Sequence, residues 1–441
     1  MTPKPSPASP GADTSGDSYL PAHGNGGYSV RHYDLELDYR LVSNRLSGRA
    51  RIHCVATQPL SGLTLDLAGL RVGRVFVNGV PARFSRALHK LRIRPARSLP
   101  DGAEFLVEVR YTGNPAPLGG EWGDIGWDEL TDGALVASQP VGAPSWFPCN
   151  DHPADKATYR VSITTSSPYT VLVTGDPVSR SRSASTTTWV YERREPTSTY
   201  LMSVQIGRYE DLELGSGGVP QRAAVPPRLR ALAALDLGRH PQIMDTLQGF
   251  FGPYPFAEYV LVVTDDELDD PIEAQGMSIF GANHLDGRRT HERLVVHELA
   301  HQWFGNSVSV ADWRHIWLNE GFATYAEWLW SEASGGPSAE AHAAQWHAVL
   351  ASRPADLRLA DPGMPRMFDE RVYKRGGVLL HALRRELGDF TFFSLLQTWA
   401  DRYRHGVVRT GDFTALASVH SGRSLDTFFH SWLEDFALPS F

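Results

Sequence analysis

Cysteine is nearly absent from this chain. Cys54 and Cys149 are the only two in 441 residues. Two thiols close at most one bridge, which excludes a disulfide-built secreted scaffold and a cysteine-rich metal cage. They read as small buried apolar side chains. A basic excess is missing as well. The net charge is -8 with no long basic block, which argues against a general nucleic-acid binder. No uninterrupted apolar run reaches membrane-spanning length. The opening "MTPKPSPASPGADTSGDSYLPAHGNGG" has no apolar core and so is not a secretory signal. Its proline, serine and glycine predict a flexible tail over residues 1–27. There is no internal repeat. The expectation is a soluble, cytoplasmic protein with no nucleic-acid or membrane partner, monomeric by default.

What is present is ordinary globular material: 42% hydrophobic and 21% charged residues. That supports real cores and, at this length, two or three domains. Residues 28–211 read as β. "YSVRHYDLELDYR" alternates, with Tyr33, Leu35, Leu37 and Tyr39 on one face. "ARIHCVA", "EFLVEVRY", "YRVSIT", "YTVLVTG" and "TTTWVYER" continue the pattern, and Asn78-Gly79 is a hairpin turn signal. Many short strands with turns between them predict a β-sandwich or similar sheet stack. Residues 212–441 change texture. "HPQIMDTLQGFFG", "ERLVVHELAHQWFG", "GFATYAEWLWSEASGG", "GGVLLHALRRELGD" and "LDTFFHSWLEDFA" read as helices, the second stopped by Gly305. "YVLVVTDDELDD" and "MSIFGAN" read as short strands. The fold class is α+β, a β domain followed by a mainly helical one.

The chemistry concentrates in "HELAHQWFGN", from His297 to Asn306. Positions i and i+4 of a helix share a face, so His297 and His301 can aim both imidazoles at one ion. Glu298 can reach a water on that ion. The alternative is a polar patch on an ordinary helix. Against it, Leu294, Val295, Val296, Leu299, Ala300, Trp303 and Phe304 are apolar, so the histidines belong in a buried setting where imidazoles need partners. Further on, Glu320 stands among Trp317, Leu318, Phe322 and Tyr325. A carboxylate there is costly unless paired or metal-bound. Glu320 as third ligand would satisfy both segments.

H-E-x-x-H, then eighteen residues, then Glu resembles the zinc aminopeptidases related to aminopeptidase N. "WFPCNDHPADKATYRVSI" and "VYKRGGVLLHALRRELGD" are similar to two further segments of that family, so the resemblance covers about residues 30–440. It implies a thermolysin-like zincin domain over 212–441 holding one Zn2+ per chain on His297, His301 and Glu320. It implies Glu298 as the base and Tyr373 as hydrogen-bond donor to the oxyanion. Glu273, twenty-four residues before His297, matches the glutamate that binds the substrate's α-amino group. It keeps only the glutamate of the family's G-x-M-E-N. Gln275 shapes the same rim. Gln139 resembles a glutamine reaching the site from the β domain, but Val141 stands where a family glutamate often follows. His291, His284 and His315 read as structural or surface residues, and Asp312 and "DDELDD" as solvated or supporting carboxylates. The family's long C-terminal helical domain has no counterpart here, which implies a more open groove.

The resemblance therefore implies a zinc-dependent aminopeptidase acting on peptides with a free N-terminus. Two other readings stay open. A zincin endopeptidase would share the metal and base without the ammonium clamp, and a scaffold would keep the fold without the chemistry.

Overall fold

The computed structural model describes residues 7–215 and 218–441. The chain divides into two compact units, Met1–Tyr209 and Glu210–Phe441. The first is β-rich and the second mainly helical, as the sequence pattern predicts.

In the first unit, strand Tyr28–Arg40 pairs antiparallel with Arg45–Ala56 and parallel with Ala157–Ser166 inside an eight-stranded sheet. Side chains alternate across a strand. Tyr33, Leu35, Leu37 and Tyr39 accordingly enter the core while their neighbours stay half-buried or exposed. A five-stranded and a four-stranded sheet complete the unit, and one apolar cluster draws on all three through Leu35, Leu65 and Val136. Asn78 and Gly79 both take positive φ, 50° and 76°, and turn Arg71–Val77 into Val80–Pro81. Cys54 and Cys149 are buried and unpaired.

The expected tail is corrected over residues 7–27; Met1–Ser6 lie outside the described residues. Ser9–Pro10 pairs with Leu60–Asp66, and Asp17, Tyr19, Leu20 and Asn25 are buried. The reason is a polar knot that composition does not reveal. Asp66 accepts hydrogen bonds from Asn25 Nδ2 at 2.8 Å and the Gly24 amide at 3.1 Å, and from Lys90 Nζ at 2.6 Å. Lys90 also donates to the Gly24 carbonyl at 2.8 Å.

The second unit opens with a strand. Glu210–Gly215 pairs with Gln221–Val225, which runs parallel to Tyr259–Val263. Met277–Phe280 and then Ile272–Ala274, the edge strand, follow in the same sheet. Among the described residues the helices are α1 Arg230–Asp236, α2 His240–Phe251, α3 Glu292–Ala300, α4 Trp317–Ala333, α5 Ala339–Ala351, α6 Glu370–Leu387, α7 Asp389–Arg402, α8 Thr410–Ser421 and α9 Asp426–Leu433. None is long and apolar enough to cross a membrane. α3 ends at Ala300, before Gly305. The chain then turns tightly, with Gly305 at φ 120° packed against Asn319 and His301. α6 begins before the predicted "GGVLLH" stretch, which puts Tyr373 in its first turn.

Candidate active site

α3 buries Val295, Val296, Leu299 and Ala300, and the same packing draws His297 and His301 inside. Their rings lie 4.8 Å apart, nearly perpendicular. α4 delivers Glu320 in its first turn, within a wholly buried run from Trp317 to Trp330. Asp312 caps the turn that leads into this helix by accepting from the Arg314 amide at 3.0 Å. Glu320 Oε2 stands 3.3 Å from Nε2 of both histidines.

The outer ring nitrogens are also engaged. His297 Nδ1 donates to Glu327 Oε1 at 2.8 Å, and His301 Nδ1 to the Phe304 carbonyl at 3.1 Å. A carbonyl can only accept, so the His301 Nδ1 carries a hydrogen and its Nε2 presents the lone pair whenever the ring is neutral. The same holds for His297 against a carboxylate. Two imidazole nitrogens and a carboxylate oxygen, all within 4.8 Å of one another, make a donor set that could hold one divalent metal ion.

The electrostatics agree. Burial disfavours imidazolium, but Glu320 and Glu327 outweigh it and lift His297 to about 9. His301 rises to about 10 against the same burial penalty, through Glu320, Glu273 and Glu298. The cluster of carboxylates therefore attracts positive charge strongly at neutral pH.

Glu298 lies beside these three donors and is 4% exposed. Burial lifts its carboxyl to about 8, and its Oε2 has no hydrogen-bond partner among the described residues. Glu273 projects from the edge strand Ile272–Ala274. Its carboxylate, that of Glu298 and the His301 ring come within 4.8 Å of one another. Burial raises the Glu273 carboxyl, opposed by His301 and reinforced by Glu320. Tyr373 is half-buried, and its ring stacks on His297 with centroids 6.0 Å apart and planes 18° apart. Burial, then the charges of Glu320, Glu273 and Glu298, push its phenol well above 10. It stays protonated and keeps a hydrogen to donate.

The Peptidase family M1 domain matches residues 236–432, and the Peptidase M1 N-terminal domain matches residues 29–201. Crystal structures of an M1 zinc metallopeptidase from Deinococcus radiodurans superpose with a TM-score of 0.88. They share 31% identity and cover 97% of this chain and 99% of the other. The chain belongs to peptidase family M1. One of those crystal structures is a mutant bound to a Tyr-Ser-Ala substrate. Aminopeptidase M1-A of Oryza sativa subsp. japonica is 26% identical over 93% of this chain and 50% of its own length. Leucyl aminopeptidase of Saccharolobus solfataricus is 22% identical over 92% and 53%. The chain spans about half the length of the curated relatives it matches.

Within this M1 chain the structure brings together His297, His301, Glu320, Glu298, Glu273 and Tyr373. Gln139 lies in the first unit, half-buried after strand Gly133–Ala137. Gln275 is fully buried in the turn after Glu273. His284 Nδ1 accepts from the Gly281 amide, and His315 Nδ1 faces the Thr410 hydroxyl at 3.0 Å.

Three residues escaped the sequence reading. Glu327 stands seven residues after Glu320 on the same face of α4, between Ala326 and Trp328, and that spacing was the available signal. Gln302 and Asn306 are the remaining polar residues of "HELAHQWFGN". Gln302 accepts from the Gly276 amide at 2.7 Å and donates to the Ala274 carbonyl at 3.2 Å, and Asn306 donates to the same carbonyl at 3.0 Å. They tie the Glu273 turn to the segment that follows α3.

Proposed function

We propose that this chain is a zinc-dependent aminopeptidase that removes residues one at a time from peptides with a free N-terminus. The observation that carries the reading is a buried convergence: a three-donor metal cluster, an unpartnered Glu298 oxygen, and the Glu273 carboxylate in one place. His297, His301 and Glu320 would hold one Zn2+. When bound, the ion polarises the scissile carbonyl and lowers the pKa of water toward about 7.

Glu298 takes a proton from the attacking water as the water oxygen bonds to the carbonyl carbon. Burial keeps this carboxylate's proton affinity high enough for the task. Tyr373, held protonated by burial and then by the surrounding carboxylates, donates to the carbonyl oxygen as it gains charge. Glu273 pairs with the substrate's α-ammonium and fixes which bond reaches Glu298. The carbon–nitrogen bond then breaks, and Glu298 returns its proton to the leaving nitrogen. Gln139 is assigned a contact with the bound peptide by resemblance alone.

The unpaired thiols of Cys54 and Cys149 suit a reducing compartment, and we assign the chain to the cytoplasm. A panel of fluorogenic aminoacyl amides, with and without chelator, tests the activity. Chelator-sensitive turnover of free-amine substrates supports it. Zinc-dependent cleavage of blocked peptides favours an endopeptidase, and no turnover favours a scaffold.

A further inference from the structure

α4 and α6 cross at two glycines. A Cβ on Gly321 would lie 2.9 Å from the Gly376 Cα and 3.1 Å from its carbonyl carbon. A Cβ on Gly376 would lie 2.7 Å from the Gly321 Cα. Both obstacles are backbone atoms, which cannot rotate aside. Neither glycine has a positive φ, so backbone conformation does not call for glycine at either position. Each sits inside a helix, where glycine costs roughly 0.5–1 kcal/mol relative to alanine. Close approach of the two helices is what the pair provides.

The crossing sits between two residues of the site. Gly321 follows Glu320 directly, and Gly376 lies one turn after Tyr373. The far side of α6 is held as well. Arg375 donates to the carbonyls of Trp432 at 3.0 Å, Leu357 at 3.1 Å, Phe436 at 3.2 Å, Asp435 at 2.7 Å and Ala437 at 3.4 Å. Lys374 Nζ lies over the Trp346 ring at 5.0 Å. Anchored this way, α6 cannot drop back uniformly from a methyl group at position 376. The displacement reaches its first turn, where Tyr373 stacks on His297.

We infer that the Gly321–Gly376 crossing is a positioning element of the reaction: it sets how close Tyr373 stands to Glu320 and His297. The inference rests on the aminopeptidase reading. An added methyl must part the helices by on the order of 1 Å, and a misplacement of that size can cost about 10²-fold in rate.

The test is Gly376→Ala in the full chain loaded with zinc. The expected result is a fall in kcat of about 10²-fold, with KM within about threefold and zinc content unchanged. Combining Gly376→Ala with Tyr373→Phe should cost no more than Tyr373→Phe alone, because both remove the same contact. A crystal structure of Gly376→Ala should show the Tyr373 and His297 rings farther apart than 6.0 Å. Gly321→Ala parts the same helices beside Glu320 and should weaken zinc binding in addition. Any of three outcomes overturns the inference: kcat of Gly376→Ala within about threefold of wild type, losses that multiply in the double variant, or failure of both glycine variants to fold, which assigns the crossing to stability. Absence of turnover in the wild type is a different failure. It removes the aminopeptidase reading and leaves the ring separation as the measure of this one.

Discussion

Glu327 Oε1 accepts a hydrogen bond from His297 Nδ1 at 2.8 Å, and the same helix carries Glu320 to the opposite nitrogen of that ring at 3.3 Å. One helix thus orients the imidazole from both edges. Partners of this kind fix the tautomer and raise the ligand's basicity, and their loss costs about 10–100-fold in metal affinity. Glu327→Ala should therefore bind zinc about 10–100-fold more weakly, while Glu327→Gln, which keeps an accepting oxygen, should lose less. Competition against a chelator of known affinity measures both. Equal affinities in wild type and Glu327→Ala would reduce the contact to packing.

Glu298 and Glu320 are both buried glutamates, and they should fail differently. Glu298→Gln keeps the three donors and removes the proton acceptor, so zinc stays near one per chain while turnover nearly vanishes. Glu320→Ala leaves two histidines, one protein donor fewer than zinc sites normally use, so the metal itself is lost. Metal analysis beside a rate assay separates the two. Wild-type zinc affinity in Glu320→Ala would make another carboxylate the third ligand.

Proton linkage follows from the histidines. In the metal-free chain the carboxylates raise His297 to about 9 and His301 to about 10, above their ordinary 6.5, despite burial. A raised folded-state value gives stability that is fully present below about pH 6.5 and lost as pH rises through 9 to 10. Ligation needs the neutral rings, so zinc binding at pH 7.5 should release about two protons and tighten as pH rises toward 9. Calorimetry in buffers of different ionisation enthalpy counts the protons. Binding without proton release would contradict protonated histidines in the metal-free chain.

In the proposed mechanism, Tyr373→Phe removes one donor to the developing oxyanion and nothing from the metal cluster. It should lower kcat by about 10²–10³-fold with little change in KM. A change confined to KM would make Tyr373 a binding residue.

Much of this site was legible because periodicity ties residues together within one helix. His297 and His301 at i and i+4, and Glu320 inside an apolar frame, carry their own argument. Glu273 was readable by family resemblance and not by pattern, since its strand is three residues long and held by Gln302 and Asn306 from a distant segment. The docked N-terminal segment was missed for a related reason. Its polar groups find Asp66 and Lys90, about forty and sixty-five residues away in sequence, so composition alone reads it as loose chain. The Gly321–Gly376 approach joins two helices and leaves no trace within either one.

The central claim is that Glu273 recognises a free α-ammonium beside Glu298. Acetylating a peptide's N-terminus removes that charge and adds bulk where the carboxylate sits. The decisive measurement is kcat/KM for a free and an N-acetylated version of one peptide, in wild type and in Glu273→Ala. A charge-assisted hydrogen bond is worth roughly 1.5–3 kcal/mol, and the clash adds to it, so wild type should prefer the free peptide at least about a hundredfold. Glu273→Ala should lose activity on the free peptide and narrow that gap. Efficient internal cleavage of the acetylated peptide by wild type would contradict the aminopeptidase assignment and leave the zinc site standing.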